Sequence, residues 1–256
     1  MKIIVWIGMI VWASLLHAYA YSDYDVDGVE DSIDLCPHTP FDKLVDEDGC
    51  EEGKGYQGSW SLQTGMMIAV DTNNSTLSNA RISIQYTYKK WDISLSTFRD
   101  IDPLPDEDSQ TLYMSIGHTQ NFWDEVEVNV ALGMKYSSAQ NDYYATLNMI
   151  HSLDSDRYVS FFYSYTLPED STLQKYNNYH TLSLGYSQQI TAIYLTGLSY
   201  QFSTASTVDT NAYHALTWEN TLRLSERYYL LGSYSLGLSE DASDHLFNLQ
   251  FGVDFD

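Results

Sequence analysis

The amino-acid sequence predicts an all-β fold, a transmembrane antiparallel β-barrel of about 12 strands that follows a short irregular segment. Three observations lead to this prediction. From Gly58 to Asp256, apolar residues alternate with small or polar residues, which is the period of a strand with two different faces. The alternating segments are about 9 to 12 residues long, the length that a tilted strand needs to cross a bilayer. The chain also contains 22 Tyr and 6 Trp residues, and such numbers of amphipathic rings are typical of the interfacial girdles of a membrane barrel.

The first twenty residues are predicted to be a secretory signal peptide (1–20). Lys2 precedes an apolar run from Ile3 to Leu16, and the stretch ends in Ala18-Tyr19-Ala20, so that cleavage is expected after Ala20. The alternative is a membrane anchor, but the apolar run is shorter than the ~20 residues of a spanning helix.

The charge of the chain excludes one class of partner. The formal net charge is −23, and a basic patch for nucleic acid or anionic lipid is therefore not expected. Two cysteines, Cys36 and Cys50, follow the signal peptide. An even number of cysteines in an oxidising compartment suggests one disulfide.

An acidic segment (21–52) comes next. Counted from Asp23, carboxylates stand at positions 1, 3, 5, 9 and 12, with Gly28 at position 6 and the carbonyl of Val29 at position 7. A loop with this spacing wraps oxygen ligands around Ca²⁺. Position 12 is Asp34 instead of the usual Glu, and Pro37 and Pro40 prevent a regular helix after the loop. The alternative is a solvated acidic spacer.

This segment resembles a thrombospondin type 3 repeat, in the form found as a periplasmic linker in the outer-membrane protein A family. The pieces that carry the resemblance are Asp-x-Asp-x-Asp-Gly, Cys-Pro-x-Thr-Pro and Val-Asp-x-x-Gly-Cys. The resemblance implies a disulfide between Cys36 and Cys50. It also implies a bound Ca²⁺ whose ligands come from Asp23, Asp25, Asp27, the Val29 carbonyl, Asp31 and Asp34.

A short linker (53–57) leads into the predicted outer-membrane β-barrel (58–256). Its connections alternate between short turns and longer polar loops, and with an even strand number both termini are expected in the periplasm of a Gram-negative bacterium. The predicted short turns are 89–90, 121–124, 153–156, 188–189 and 225–226, and the predicted loops are 71–79, 99–109, 137–141, 168–177, 203–211 and 239–244. Ten or fourteen strands remain as alternatives.

The last segment, His245 to Phe255, has the pattern most typical of a barrel strand. Apolar residues at every second position from Phe247 onward alternate with Asn248, Gln250, Gly252 and Asp254. The apolar face is expected to contact lipid and the polar face to line the lumen. The segment is similar to the assembly signal of bacterial outer-membrane barrels, although Asp256 follows the near-terminal aromatic residue.

The polar faces of the predicted strands carry charges that a soluble lipocalin-like barrel or sandwich could bury only at a cost of several kcal/mol. The predicted pore-lining residues are Arg81, Glu127, Lys135, Glu219, Arg223 and Asp254. They favour a porin-like outer-membrane channel for small polar or cationic solutes. One alternative is a closed structural or adhesion barrel, plugged by these charges, whose repeat docks a periplasmic protein or peptidoglycan. A third possibility is an outer-membrane hydrolase.

The histidines do not form a catalytic pattern in the sequence. A hydrolase needs a Ser and a His in hydrogen-bonding reach, with a third group that orients the imidazole. The strand histidines are instead scattered near strand ends, where we interpret them as interface residues, and no catalytic residue is predicted: His118, His151, His180, His214 and His245.

Overall fold

The computed structural model describes residues 23–31, 33–39, 42–51, 58–70, 76–100, 110–122, 125–137, 141–169, 176–207, 211–239 and 242–255. The chain divides into two compact units, 1–56 and 57–256. The predicted signal peptide (1–20), the linker (53–57) and the terminal Asp256 lie outside the described residues. Within the described residues, no helix is long and apolar enough to cross a membrane.

The first unit is built from tight turns. Cys36 and Cys50 form a disulfide, as the sequence predicts, with their Cα atoms 5.1 Å apart. Val45 and Glu51 form an isolated antiparallel bridge that closes the second half of this unit. Val26, Gly28 and Gly49 have positive φ angles, which lets the chain turn sharply where the acidic side chains lie close together.

The second unit is a closed antiparallel barrel, which confirms the predicted fold class and the predicted twelve strands. Every strand pairs with its neighbours in the sequence, and the first strand pairs with the last, so that the sheet has no free edge. The strands are β1 (Ser59–Val70), β2 (Thr76–Tyr88), β3 (Trp91–Asp100), β4 (Thr111–Phe122), β5 (Val126–Ser137), β6 (Asn141–Ser152), β7 (Arg157–Pro168), β8 (Tyr179–Thr191), β9 (Tyr194–Ser203), β10 (Tyr213–Arg223), β11 (Tyr228–Gly237) and β12 (His245–Phe255).

The register places the two faces of each strand consistently around the barrel. Leu132 is paired with Ala145 and Ile116, and the same apolar face continues through every strand to Leu249, which pairs with Met66. Leu132 is 62% exposed and Leu249 is 57% exposed, because this face points away from the barrel axis. An apolar outer surface of this kind is stable in lipid and unfavourable in water.

One end of the barrel carries the short turns, the start of β1 and the end of β12. The other end carries the longer connections. We call these the turn end and the loop end. At the turn end, aromatic rings of the outer face contact each other: Trp60 and Tyr86 lie 4.6 Å apart between ring centroids, and Tyr228 stacks on Phe251 at 5.9 Å. Such rings are typical of a membrane interface, where one end of the ring is apolar and the other is wet.

The sequence misplaces one turn. Gln188 and Gln189 are not a turn but part of β8, and the connection to β9 is formed by Ala192 and Ile193. A register shift between Gln189 and Thr191 marks a bulge that the alternation pattern does not reveal. Several strands also extend into the predicted loops, as β2 does from Thr76. Backbone hydrogen bonds between strands continue beyond the apolar band. Outside this band the residues need not alternate between apolar and polar, so the sequence pattern does not mark the strand ends.

Candidate functional site

The inner wall of the barrel is lined by small and polar side chains. Successive inward positions of β1 are Ser61, Gln63 and Gly65, and their partners on β2 are Gln85, Ser83 and Arg81. Hydroxyl pairs join neighbouring strands across this wall, for example Ser94 with Ser115 at 2.7 Å and Thr217 with Ser235 at 2.8 Å. Many polar side chains of the wall are therefore hydrogen-bonded to side chains on the neighbouring strand.

Two large inward rings lie along the wall because glycines make room for them. A Cβ built on Gly133 would lie 2.2 Å from Tyr144, whose hydroxyl donates to the carbonyl of Met114 at 3.2 Å. A Cβ on Gly252 would likewise lie 2.2 Å from Tyr229. Each ring thus crosses the next strand and ends on the strand beyond it. A tyrosine held flat in this way narrows the lumen far less than one that points towards the axis.

Tyr229 is fixed at its hydroxyl as well. It is hydrogen-bonded to Ser61 Oγ at 2.9 Å and accepts a bond from Gln63 Nε2 at 3.1 Å. The ring is buried against the wall. This arrangement ties β11 to β1 across β12.

All six residues predicted to line the pore occupy inward positions in the strand register: Arg81, Glu127, Lys135, Glu219, Arg223 and Asp254. The structure does not pair them with one another in the way that opposed charges across a pore would require. Ser199 donates to Glu219 Oε1 at 3.3 Å, and Arg223 Nη1 donates to the carbonyl of Glu226 at 3.2 Å. Glu127 and Glu219 are exposed, so their carboxylates face water.

The partner of Lys135 is a residue that the sequence analysis missed. Lys135 Nζ donates to Asp142 Oδ2 at 2.9 Å across the β5–β6 ladder, and Asp142 is only 2% exposed. Asp142 directly follows the predicted loop 137–141, so its inward direction depends on where β6 begins. The pair neutralises both charges at the loop end of the lumen.

Arg81 lies near the same end without an acidic partner among the described residues. Its guanidinium carbon is 5.0 Å from the centroid of the Phe98 ring, and Phe98 contacts Tyr113 edge to face at 5.4 Å. The Nε atom is buried and has no hydrogen-bond partner in the described part of the chain. The cation is therefore held by stacking on an aromatic ring.

A second inward acid that the sequence analysis missed lies near the turn end. Asp92 Oδ1 accepts a hydrogen bond from Asn129 Nδ2 at 2.8 Å, and the same amide donates to Thr119 Oγ1 at 2.9 Å. A Cβ on Gly117 would lie 2.5 Å from Asp92 Oδ1, so this glycine admits the carboxylate. The alternation of β3 places Asp92 inward, and this signal was available in the sequence.

The loop end of the lumen contains a cavity of about 350 Å³. Lys135, Asp142 and Tyr144 form one side of it, and the hydroxyl-bearing residues Ser164, Thr166 and Thr181 contribute to another. A cavity with these walls offers hydroxyl groups and the Lys135 ammonium to a polar solute.

The acidic segment brings three of its predicted ligands together. Asp23, Asp25 and Asp27 each offer one carboxylate oxygen, and these oxygens lie within 4.8 Å of one another. Both oxygens of Asp25 and Oδ2 of Asp27 are buried without a hydrogen-bond donor among the described residues. Carboxylate oxygens grouped in this way are the ligands that Ca²⁺ takes in proteins.

Asp34 approaches the same group from the other side. A Cβ on Gly49 would lie 2.0 Å from Asp34 Oδ1 and 3.4 Å from Asp27 Oδ2, so the two side chains meet over this glycine. Burial raises the pKa of Asp34, and repulsion by Asp27, Asp25 and Asp31 acts in the same direction, against the hydrogen bond from the Cys36 amide. A positive charge at this point would remove the repulsion.

The other two predicted ligands, Val29 and Asp31, form hydrogen bonds that stabilise the loop. Asp31 Oδ1 accepts the amide of Tyr24 at 2.8 Å, and the amide of Val29 donates to Asp27 Oδ1 at 2.9 Å. Gly28, predicted to supply the turn, has a φ of 97° and donates its amide to Asp23 Oδ2 at 3.1 Å. The loop thus folds back on its own carboxylates.

Comparison with known proteins concerns the barrel. No protein-family model and no curated protein sequence matches the chain. Among solved structures, the KdgM porin is similar with a TM-score of 0.57 at 11% sequence identity, over 77% of this chain and 98% of that chain. The barrel has the fold of outer-membrane porins. The NanC porin is similar with a TM-score of 0.57 at 9% identity, over 77% of this chain and 99% of that chain.

The outer membrane protein Omp33 of Acinetobacter baumannii is a third structure with this fold. Its TM-score is 0.51 at 12% identity, over 77% of this chain and 98% of that chain. At such identities the likeness concerns the fold, and function has to be argued from the residues of this chain.

Proposed function

We propose that this protein is a porin-like channel of the bacterial outer membrane, through which small polar or cationic solutes diffuse passively. In this proposal the acidic segment and both barrel termini lie on the periplasmic side, and the acidic segment binds Ca²⁺. This orientation is supported by the even number of strands and by the short turns at the turn end, where β1 begins and β12 ends.

The observation that carries the proposal is the construction of the inner wall. Tyr144 and Tyr229 lie flat over glycines, and the inward acids Glu127 and Glu219 are exposed. A barrel of twelve strands lies between sizes whose interior is filled by side chains and sizes that leave an aqueous channel. Side chains that lie along the wall favour the aqueous outcome.

Charge supports cations over anions as the preferred solutes. Among the described inward side chains, Asp92, Glu127, Asp142, Glu219 and Asp254 outnumber Arg81, Lys135 and Arg223. Lys135 is neutralised by Asp142, which leaves the exposed acids to set the local potential. The KdgM porin, which has the same fold, has a structure in complex with disordered oligogalacturonate.

Conductance and reversal potential in a planar bilayer test this proposal. The refolded full chain is expected to give discrete steps with a cation-selective reversal potential in a KCl gradient. Glu127→Gln with Glu219→Gln should shift the reversal potential towards zero, whereas Glu127→Asp with Glu219→Asp keeps both charges and should keep the selectivity. A folded, heat-modifiable protein without conductance would overturn the channel and favour the closed structural barrel.

The calcium proposal rests on the chemistry of the donor set. The segment resembles a thrombospondin type 3 repeat, and carboxylate oxygens of Asp25, Asp27 and Asp34 are buried without hydrogen-bond donors among the described residues. Together with Asp23, Asp31 and the Val29 carbonyl they would supply the six to eight oxygens that Ca²⁺ requires. Bound Ca²⁺ would neutralise the cluster and fix the loop.

Calorimetric titration of the full chain in detergent tests the site. Ca²⁺ is expected to bind with a stoichiometry of one, and Mg²⁺ to bind more weakly because it demands a smaller and more regular shell. Asp25→Asn with Asp27→Asn should abolish the binding heat, and the matched barrel variant Asp92→Asn should leave it unchanged. Equal heats for all three proteins would contradict the proposal.

A further inference from the structure

The outer face at the loop end contains a repeated pair of side chains on three successive hairpins. Tyr163 on β7 is hydrogen-bonded through its hydroxyl to Nδ1 of His180 on β8 at 2.8 Å. The same pair recurs as Tyr200 with His214 on β9 and β10 at 2.5 Å, and as Tyr234 with His245 on β11 and β12 at 2.9 Å. We call these three pairs the histidine row.

The three histidines are level with each other. On β9, His180 lies opposite position 204 and His214 lies opposite position 202, so the two histidines are offset by two residues along the strand. On β11, His214 and His245 are offset by two residues in the same way. Strands tilted by roughly 40° and spaced by about 4.8 Å shift a horizontal line by about one residue per strand. An offset of two residues over two strands therefore keeps the rings at one height around the barrel.

The hydroxyl bond at Nδ1 orients each ring for binding. When the phenol donates to Nδ1, the imidazole carries its own proton on Nε2. His180 and His245 are exposed and His214 is half-buried. The row thus offers N–H donors to a group beside the barrel.

The strand positions around the row are aromatic or apolar, and Asp244 precedes His245 at the loop end. Each ring is flanked by an aromatic residue: Tyr165 at 4.9 Å from His180, Phe202 at 5.0 Å from His214, and Tyr234 at 6.0 Å from His245. Among the described side chains of the twelve strands, every Asp and Glu belongs to an inward position. Imidazole groups on an outer face whose described strand positions carry no carboxylate favour an anionic partner at a membrane interface.

An apolar groove of about 530 Å³ lies on the same outer face, on β8 to β11. It is lined by Leu198, Leu216, Trp218, Tyr234 and Leu236, among others. Tyr234 belongs to the histidine row, Leu216 is the next outward residue after His214, and Leu236 pairs with His245. The groove therefore begins directly below two of the histidines and follows the wall into the apolar band.

We propose that the histidine row and this groove bind lipids whose headgroup carries a phosphomonoester, with the phosphate on the Nε2 donors and an acyl chain in the groove. A phosphate beside neutral or protonated imidazole forms charge-assisted hydrogen bonds. The site requires that the barrel resides in a membrane, but it does not require that the lumen conducts. Binding here would fix the height of the barrel in the leaflet on the loop side.

Native mass spectrometry of the full chain in detergent tests this site. The probes are dioleoyl phosphatidic acid and dioleoylglycerol, which differ only in the phosphate. The native protein is expected to retain phosphatidic acid in preference to dioleoylglycerol. His180→Phe, His214→Phe and His245→Phe together remove the donors and keep aromatic rings at the interface, and should weaken retention about tenfold or more, the scale of a charge-assisted hydrogen bond.

Two further variants distinguish lipid binding at this site from non-specific lipid binding to the outer face of the barrel. His118→Phe with His151→Phe changes outward histidines near the turn end, and should leave retention unchanged. Leu198→Trp fills the groove and should reduce the retention of both lipids while the preference for phosphate persists. Equal retention of phosphatidic acid by the triple variant and the native protein would overturn the proposal, as would an equal loss in the His118 and His151 variant.

Discussion

The carboxylates of the barrel and those of the acidic segment are satisfied in opposite ways. In the barrel, Asp142 accepts from Lys135 at 2.9 Å and Asp92 accepts from Asn129 at 2.8 Å. In the segment, both oxygens of Asp25 and one oxygen each of Asp27 and Asp34 are buried without a donor among the described residues. The buried carboxylates of the barrel thus take side-chain donors from neighbouring strands, whereas those of the segment take backbone amides at some oxygens and crowd their other oxygens together.

The difference concerns the free-energy cost of the buried carboxylates in each unit. A buried carboxylate without a partner costs free energy, and like charges in contact raise this cost. Asp92 and Asp142 avoid this cost through cross-strand neighbours, which the closed sheet supplies. The acids of the segment lie in tight turns closed by a disulfide, and under the calcium proposal a bound cation compensates the oxygens without a described donor.

The largest expected effect comes from breaking the Lys135–Asp142 pair. Asp142→Asn leaves the ammonium without its anion at a site where Asp142 is 2% exposed. Removal of one member of such a pair costs about 3 kcal/mol or more in the free energy of unfolding. Urea titration of the refolded barrel measures it. The double variant Lys135→Met with Asp142→Leu serves as the control and should recover most of the loss, and an unchanged single variant would contradict the pairing.

Reduction of the disulfide is expected to act on the segment alone. Cys36 and Cys50 are 14 residues apart, and closing a loop of this length stabilises a fold by about 3 kcal/mol in the chain-entropy model. Cys36→Ser with Cys50→Ser should therefore make the segment sensitive to limited proteolysis. The heat-modifiable migration of the barrel provides the internal control and should not change. A segment that resists protease equally in both proteins would show that its turns suffice.

Removal of Ca²⁺ should have an effect of similar or smaller size. A ligand present at 100 times its dissociation constant stabilises the bound state by about 2.7 kcal/mol. Chelation should increase the rate of proteolysis within residues 23–51, and Asp25→Asn with Asp27→Asn should make this rate independent of Ca²⁺. If chelation accelerates proteolysis of the double variant as much as that of the native chain, the cation acts elsewhere.

The sequence was sufficient for the features that depend on local alternation. Val126 to Tyr136 alternate so regularly that both the strand and its inward residues Glu127 and Lys135 follow from it. Twelve such segments predicted the closed barrel. The cluster of Asp23, Asp25 and Asp27 followed from spacing in the same way, because residues two apart in a tight loop remain close in space.

Features that depend on register could not be predicted. The partner of Lys135 is decided by where β6 begins, and Asp142 stands at the edge of a polar stretch that gives no boundary. The bulge near Gln189 shifted a predicted turn for the same reason. The level arrangement of His180, His214 and His245 requires the pairing of the five strands β8 to β12, and in the sequence these histidines are only scattered residues near strand ends.

The smallest expected effect concerns Asp154, which differs from the buried carboxylates of both units because it is exposed and forms an ion pair. Asp154 at the turn end accepts a hydrogen bond from Arg157 Nε at 2.6 Å; this bond lowers the pKa of Asp154, and the amide of Asp156 lowers it further. A carboxylate with a lowered pKa stabilises the fold above its unfolded pKa of about 3.9 and loses this contribution as the pH falls through the folded value. Asp154→Asn should therefore lower the urea midpoint slightly at pH 7, and this effect should disappear once the pH falls below the folded pKa of Asp154. Arg157→Gln should reproduce both results, and a difference that persists at the lower pH would assign the effect to the turn itself and not to the charge.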